Sequence, residues 1–193
     1  MQSPDMTKSF WRGERIRLRA LAAAYAAQWL AFDEDSEAIR LLNLGLSLPR
    51  SPAQAKEWAE RFADFKNADE AMIFTIETHA GDYVGSLNLG AVDRRNGTFS
   101  SGTRVAAEYR GKGYALEAKR IVLRYAFDEM RLQKYNLRCL ETNAAVIRHA
   151  ALLGCREEGR IRRDVFTGGR FFDVVLFGLT REEFDAKEAE RGA

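Results

Sequence analysis

The run Tyr109-Arg110-Gly111-Lys112-Gly113-Tyr114-Ala115 lies between a β-like segment and a long amphipathic segment. It combines two glycines with two basic side chains just before a helix is expected to begin. A helix N-terminus presents unpaired backbone N–H groups and a partial positive charge. Glycine lets the backbone approach a ligand closely because it has no Cβ. The run therefore predicts a phosphate or pyrophosphate site, and a pyrophosphate in turn indicates a nucleotide-bearing cofactor.

Size and composition are those of an ordinary folded domain. The chain has 193 residues, of which 46% are hydrophobic, and we expect one domain over residues 1–193. The 30 basic and 28 acidic side chains nearly balance, which favours no nucleic acid or membrane partner. Cys139 and Cys155 form no metal-ligand pattern and are typical of reduced thiols in a cytoplasmic protein, with a disulfide as the alternative. Neither a secretory signal nor a membrane span is predicted.

The order of predicted elements describes a mixed α+β domain. Seven segments have the composition or alternation of strands, at 15–21, 72–78, 83–92, 98–106, 136–141, 160–166 and 170–179. Helices are predicted at 22–32, 36–42, 51–66, 113–130, 144–153 and near the C-terminus. The last helix has a capping-box pattern, Thr180 followed by Glu183. We expect a core over about 14–179 and a C-terminal helix or tail at 180–193.

The glycine run matches the pattern R-x-x-G-x-A, with Arg110, Gly113 and Ala115 at its defining positions. The third glycine of a Rossmann fingerprint is missing, and no Walker A run occurs. The run resembles the coenzyme A-binding motif of the GNAT superfamily of acetyltransferases. Asn143, followed by Leu153-Gly154-Cys155, is similar to the later N…LGF element of that superfamily. The segments 15–19 and 169–177 resemble its RimJ/RimL-type branch.

The resemblance implies a GNAT fold, with a central, mostly antiparallel sheet of about six to seven strands that splays at the cofactor site. It implies an N-acetyltransferase that uses acetyl-CoA as cosubstrate, needs no metal, and transfers acetyl directly to a primary amine. The acceptor classes are a protein N-terminus, an amino sugar or antibiotic, and a small amine; a homodimer is a further expectation. The alternative is a non-catalytic acyl-CoA-binding or regulatory module, because the usual tyrosine and serine positions are Ala150 and Val146 here.

Cofactor contacts follow from the same resemblance. The pyrophosphate is assigned to backbone N–H groups of the loop, at Gly111, Lys112, Gly113, Tyr114 and Ala115. Arg110 and Lys112 either add charge there or are solvated. The edge 103–107 is expected to offer unpaired groups to the pantetheine arm, with an N–H near Val105 polarising the thioester carbonyl. Asn143 is expected to bind the arm, to cap the helix that follows it, or both.

The acceptor amine must lose a proton before it attacks, so a general base is a further candidate. Glu141 is the first choice, because alternation along a strand over 136–141 predicts it on the same face as Asn143. Glu77, in a strand over 74–78, is the second choice. A solvated strand carboxylate is the alternative interpretation of both. The arginines of 156–170 are interrupted by acids and predict a solvated hairpin face rather than an RNA site.

Overall fold

The computed structural model describes residues 9–192 of the chain. Eight strands in this range form one sheet, β1 (Ile16–Ala20), β2 (Ala71–Thr78), β3 (Tyr83–Asp93), β4 (Thr98–Ser100), β5 (Thr103–Val105), β6 (Lys134–Leu140), β7 (Arg156–Thr167) and β8 (Arg170–Thr180). Their order is β1-β2-β3-β4-β6-β8-β7, and β5 pairs with β3 beyond the end of β4. Within the described residues, every strand pair is antiparallel except β4 with β6. The predicted α+β class and mostly antiparallel sheet are confirmed.

The helices of the same range are α1 (Ala26–Asp33), α2 (Ser36–Asn43), α3 (Pro52–Phe62), α4 (Tyr114–Arg124), α5 (Ala144–Leu153) and α6 (Arg181–Gly192). Local sequence explains where several begin. Ser51 and Gln54 form a capping box at α3, and the Thr180 hydroxyl accepts from the Glu183 N–H at 3.3 Å before α6. None of these helices, as far as the structure describes the chain, has the length and apolar content to cross a membrane.

The two faces of the sheet carry different helices. In β2, Phe74 belongs to the main core with Val122 of α4, whereas the next residue back, Ile73, packs with Trp29 of α1. Neighbouring residues of a strand point to opposite faces, so α4 and the N-terminal helices lie on opposite sides. The main core is dense around Phe99 and Tyr135, both 1% exposed. The central strands therefore lie between α4 on one face and the N-terminal helices on the other.

Several predicted bounds differ from the structure, and three of the differences concern the central strands and α4. The strand predicted over 98–106 is divided into β4 and β5, which raises the strand count to eight. The helix predicted over 113–130 ends as an α-helix at Arg124 and continues as a π turn, Tyr125–Glu129. The strand predicted over 136–141 is β6, which ends at Leu140. Glu141 therefore lies in a turn, and strand alternation cannot place it on one face with Asn143.

Candidate active site

Two central strands part from each other in the middle of the sheet. From Ser100 onward the chain keeps one register along β3, with Ser100 opposite Gly90 and Val105 opposite Gly85. β6 pairs with β4 only as far as Asn136, which lies opposite Ser100. Beyond that point β5 follows β3 while β6 follows β8. We call the gap between β5 and residues 137–140 of β6 the opening; its apex is at Ser101, and it confirms the predicted splay.

Backbone groups of β5 face this opening. Ala106 donates its N–H to the Val84 carbonyl at 2.9 Å, and Asn88 donates to the Gly102 carbonyl at 3.0 Å. Residues of an antiparallel ladder alternate between those bonded to the partner strand and those pointing away. The N–H groups of Thr103 and Val105 therefore point away from β3 and into the opening. This is the unpaired edge that the sequence predicted over 103–107.

The glycine loop joins the wide end of the opening to α4. Gly111 has φ of +74°, and nothing lies within 4 Å of where its Cβ would stand. Gly113, with φ of +81°, is the N-cap of α4 and supplies no side chain to cap it. Both angles favour glycine. A helix end without a capping side chain, next to an open glycine backbone, fits the diphosphate of a coenzyme A-type cofactor.

Arg15, immediately before β1, holds this loop, a role that the sequence did not predict. Its Nε donates to Glu117 Oε2 at 2.9 Å, and its Nη1 donates to the Lys112 carbonyl at 2.7 Å. The guanidinium also lies 5.2 Å from the centre of the Tyr114 ring. Glu117, in the first turn of α4, anchors the arginine that braces the loop. No local pattern signals this pair, since the two residues are about a hundred positions apart.

The two basic residues of the loop have different surroundings. Arg110 Nη1 donates to Asp35 Oδ2 at 2.8 Å, and its Nε donates to the Val105 carbonyl at 3.0 Å. Asp35 caps α2 through the Ala38 N–H, and this bond, followed by the bond from Arg110, lowers the pKa of its carboxyl. Lys112 is exposed, with Nζ 5.3 Å from the centre of the Tyr109 ring. Arg110 therefore links the loop to β5 and α2, whereas the ammonium group of Lys112 is exposed to solvent.

Asn143 has a structural role at the start of α5. It is 5% exposed, and its Oδ1 accepts from the Val146 N–H at 3.1 Å. Its Nδ2 donates to the Leu41 carbonyl of α2 at 3.4 Å. The predicted helix cap is confirmed, whereas a contact with the pantetheine arm stays a prediction.

The two candidate bases lie in unlike places. Glu141 is exposed, and its Oε1 accepts from the Asp173 N–H of β8 at 3.2 Å. Glu77 is 5% exposed, and its oxygens accept from the Tyr25 hydroxyl at 2.6 Å and from Arg17 Nε at 2.8 Å. Burial, followed by the bond to Glu77, raises the pKa of Tyr25 to about 12. Glu77 therefore joins the N-terminal turn to the sheet, and the structure does not bring the two carboxylates together.

Comparisons with known proteins agree with this geometry. The family model described as an acetyltransferase (GNAT) domain matches residues 15–156. The chain is 36% identical to the SPbeta prophage-derived uncharacterized N-acetyltransferase YokL of Bacillus subtilis (strain 168), over 93% of this chain and 98% of that protein. It is 24% identical to YdaF of the same organism, provisionally named a ribosomal N-acetyltransferase, over 68% of this chain and 69% of YdaF.

A solved structure with a similar fold is that of the spermidine N-acetyltransferase from Vibrio cholerae in complex with CoA and spermine. It has a TM-score of 0.79 and 19% identity, and the match covers 89% of this chain and 99% of that one. The opening, the uncapped helix and these matches define an acyltransferase fold. The chain belongs to the GNAT family of acetyltransferases, whose members use acetyl-CoA.

Proposed function

We propose that this protein is an acetyl-CoA-dependent N-acetyltransferase of the RimJ/RimL-type branch, and that it transfers acetyl directly to a primary amine. One observation carries the proposal: the opening with its inward N–H groups leads directly to the uncapped N-terminus of α4. A carrier with a diphosphate and an amide-bearing arm requires both features. The similarity to YdaF supports the choice of branch.

Each part of the loop has a role in this proposal. The N–H groups from Gly111 to Ala115 hold the diphosphate, and exposed Lys112 adds positive charge. Arg110 fixes the loop to Asp35 and keeps the Val105 carbonyl occupied, so that N–H groups dominate the edge of β5. Asn143 keeps the α5 end of the opening in place and is available to the arm. When bound, acetyl-CoA supplies the activated acyl group.

The chain's own groups would assist the transfer in two ways. The N–H groups of Thr103 and Val105 stabilise negative charge that develops on a carbonyl oxygen in the opening. Glu141 has an exposed carboxylate, whereas both oxygens of Glu77 are engaged, so we propose Glu141 ahead of Glu77 as the base that removes the amine proton.

We propose that the acceptor binds on the face covered by α1 to α3. Arg104 of β5 points to this face, where its guanidinium lies 3.9 Å from the Trp29 ring centre and 3.9 Å from Asp33 Oδ1. Burial lowers the pKa of Arg104 to about 10. Among the described residues, Trp29 Nε1, Asp33 Oδ1 and Arg104 Nη1 are buried without hydrogen-bond partners. Asp33 Oδ1 and Arg104 Nη1 face each other as an ion pair but form no hydrogen bond, and buried polar atoms with free hydrogen-bonding capacity beside the opening suit an acceptor with its own polar groups.

Two minor proposals accompany the assignment. The free thiols Cys139 and Cys155 support a cytoplasmic location. A homodimer is the expected assembly, and light scattering of the purified protein measures it.

The test is a two-stage binding and activity experiment. Calorimetry with CoA and with acetyl-CoA measures cofactor binding, and a panel of peptides with free N-termini, amino sugars and small amines is then screened for release of the CoA thiol. We expect binding of both compounds and turnover with at least one acceptor class. Binding without turnover on any class would support the non-catalytic acyl-CoA-binding module, which Ala150 favours because its buried methyl group cannot protonate a leaving thiolate. Absence of binding would refute both.

A further inference from the structure

A buried lysine lies beneath the apex of the opening. Lys119 of α4 is 7% exposed, and its Nζ donates to both the carbonyl and the hydroxyl of Ser101, each at 2.7 Å. The Tyr135 hydroxyl of β6 donates to the same carbonyl at 3.2 Å. Side chains from a helix and from the diverging strand therefore hold the peptide group at which β5 leaves β6.

The surroundings of this amine are mainly apolar. The titratable groups that face it are Tyr135, with its ring centre 5.5 Å from Nζ, His149 in the middle of α5, and Cys155, two residues after the end of α5. Burial lowers the pKa of Lys119 to about 7 and raises that of Cys155 to about 12, so none of these neighbours supplies an anion at neutral pH. An apolar side chain would fill this place without the cost of burying an amine. The specific contribution of Lys119 is therefore its pair of bonds to Ser101.

Ser101 is also fixed from the side of β3. Its hydroxyl donates to the Asn88 carbonyl, which would otherwise accept from the Gly102 N–H. The Gly102 N–H turns instead to Asn88 Oδ1 at 2.6 Å. The peptide at the apex is thus held by β3, α4 and β6 together. Thr103, whose N–H faces the opening, follows only two residues later.

We propose that Lys119 is a positioning residue for the acyl group. By fixing the Ser101 carbonyl it sets the direction of the Thr103 N–H, which aligns the thioester carbonyl for attack. This inference rests on the proposed function. Lys119 itself lies under the strand and contacts Ser101 rather than the acyl group.

The experiment compares Lys119→Met with Arg120→Met. The control removes the adjacent cation of α4, which pairs with Glu188 at 3.0 Å on α6. Calorimetry measures the Kd of CoA and of acetyl-CoA for each protein. We expect Lys119→Met to weaken acetyl-CoA about tenfold, the effect of one hydrogen bond to the carbonyl, and to change CoA less than twofold. Arg120→Met should change neither the Kd of CoA nor that of acetyl-CoA. In Lys119→Met, the carbonyl stretch of bound [1-13C]acetyl-CoA should move to higher frequency.

Equal effects on CoA and acetyl-CoA, or an unchanged carbonyl stretch, would overturn the role of Lys119. Failure of the unaltered protein to bind CoA would instead overturn the proposed function. If Lys119→Met does not fold, Tyr135→Phe removes a bond to the same carbonyl with almost no change in volume. Tyr135→Phe should shift the stretch of the acetyl carbonyl of bound acetyl-CoA to higher frequency by a smaller amount. No shift in that variant would refute the proposal.

Discussion

Replacing Gly111 by alanine should lower both the stability of the protein and its affinity for CoA, and the two effects can be measured separately. A residue with Cβ at φ of +74° costs about 1–2 kcal/mol of folding free energy. No protein atom lies within 4 Å of the new Cβ, so no clash adds to this cost. The methyl group instead occupies the space through which a diphosphate approaches the amides. Loss of one charge-assisted hydrogen bond, worth about 1.5–3 kcal/mol, should weaken CoA binding roughly 10- to 100-fold.

Gly169→Ala is the matched control. Gly169 lies in the turn between β7 and β8 with φ of +78°, and nothing stands within 4 Å of its Cβ position. Urea unfolding should show about the same destabilisation of both variants, whereas calorimetry with CoA should show loss of affinity only for Gly111→Ala. If the two variants bind CoA equally well while both are destabilised, the loop does not hold the diphosphate and the reasoning is wrong.

Three further predictions use other residues. For Lys119, the folded-state pKa of about 7 lies below the ordinary 10.5, so the unfolded state holds the extra proton between these values and stability rises with pH. The free energy of unfolding should therefore rise from pH 7.5 to 9 by about 1.4 kcal/mol per pH unit more in the unaltered protein than in Lys119→Met; parallel urea series that show no difference would contradict the buried amine. Asn143→Ala should cost about 1 kcal/mol in urea unfolding through the lost cap of α5, and an unchanged midpoint would count against that cap. Glu141→Gln should lower kcat about 100-fold and remove the acid limb of its pH profile, and a retained limb would exclude Glu141 as the base.

Local sequence rules predicted the parts of the site that local forces determine. The glycine loop, the capping box before α6 and the cap at Asn143 each depend on residues within a few positions of one another. The division of the strand at Ser101 could not be predicted in this way, because the register along β3 is unchanged from Ser100 to Val105 and only the distant pairing with β6 ends. The error at Glu141 has a related cause, since the cap of α5 begins so soon after β6 that the strand stops one residue early.

The partners of the charged residues at the site could not be predicted from the sequence. Lys119 falls within the apolar period of α4, between Ala115 and Val122, and this spacing was a signal that it is buried. Its bonds to Ser101, and the bonds of Arg15 to the loop, connect positions far apart in the chain. Sequence periodicity shows which face a residue occupies but not which polar group it meets there.

Amide-resolved NMR of the 15N-labelled protein during titration with CoA tests the central claim most directly. We expect the largest chemical-shift changes at the N–H groups of Gly111, Gly113 and Ala115, with further changes at Thr103 and Val105 along the opening. The turn at Gly169 should stay unchanged. Saturating CoA that shifts other amides and leaves the loop amides in place would contradict the account.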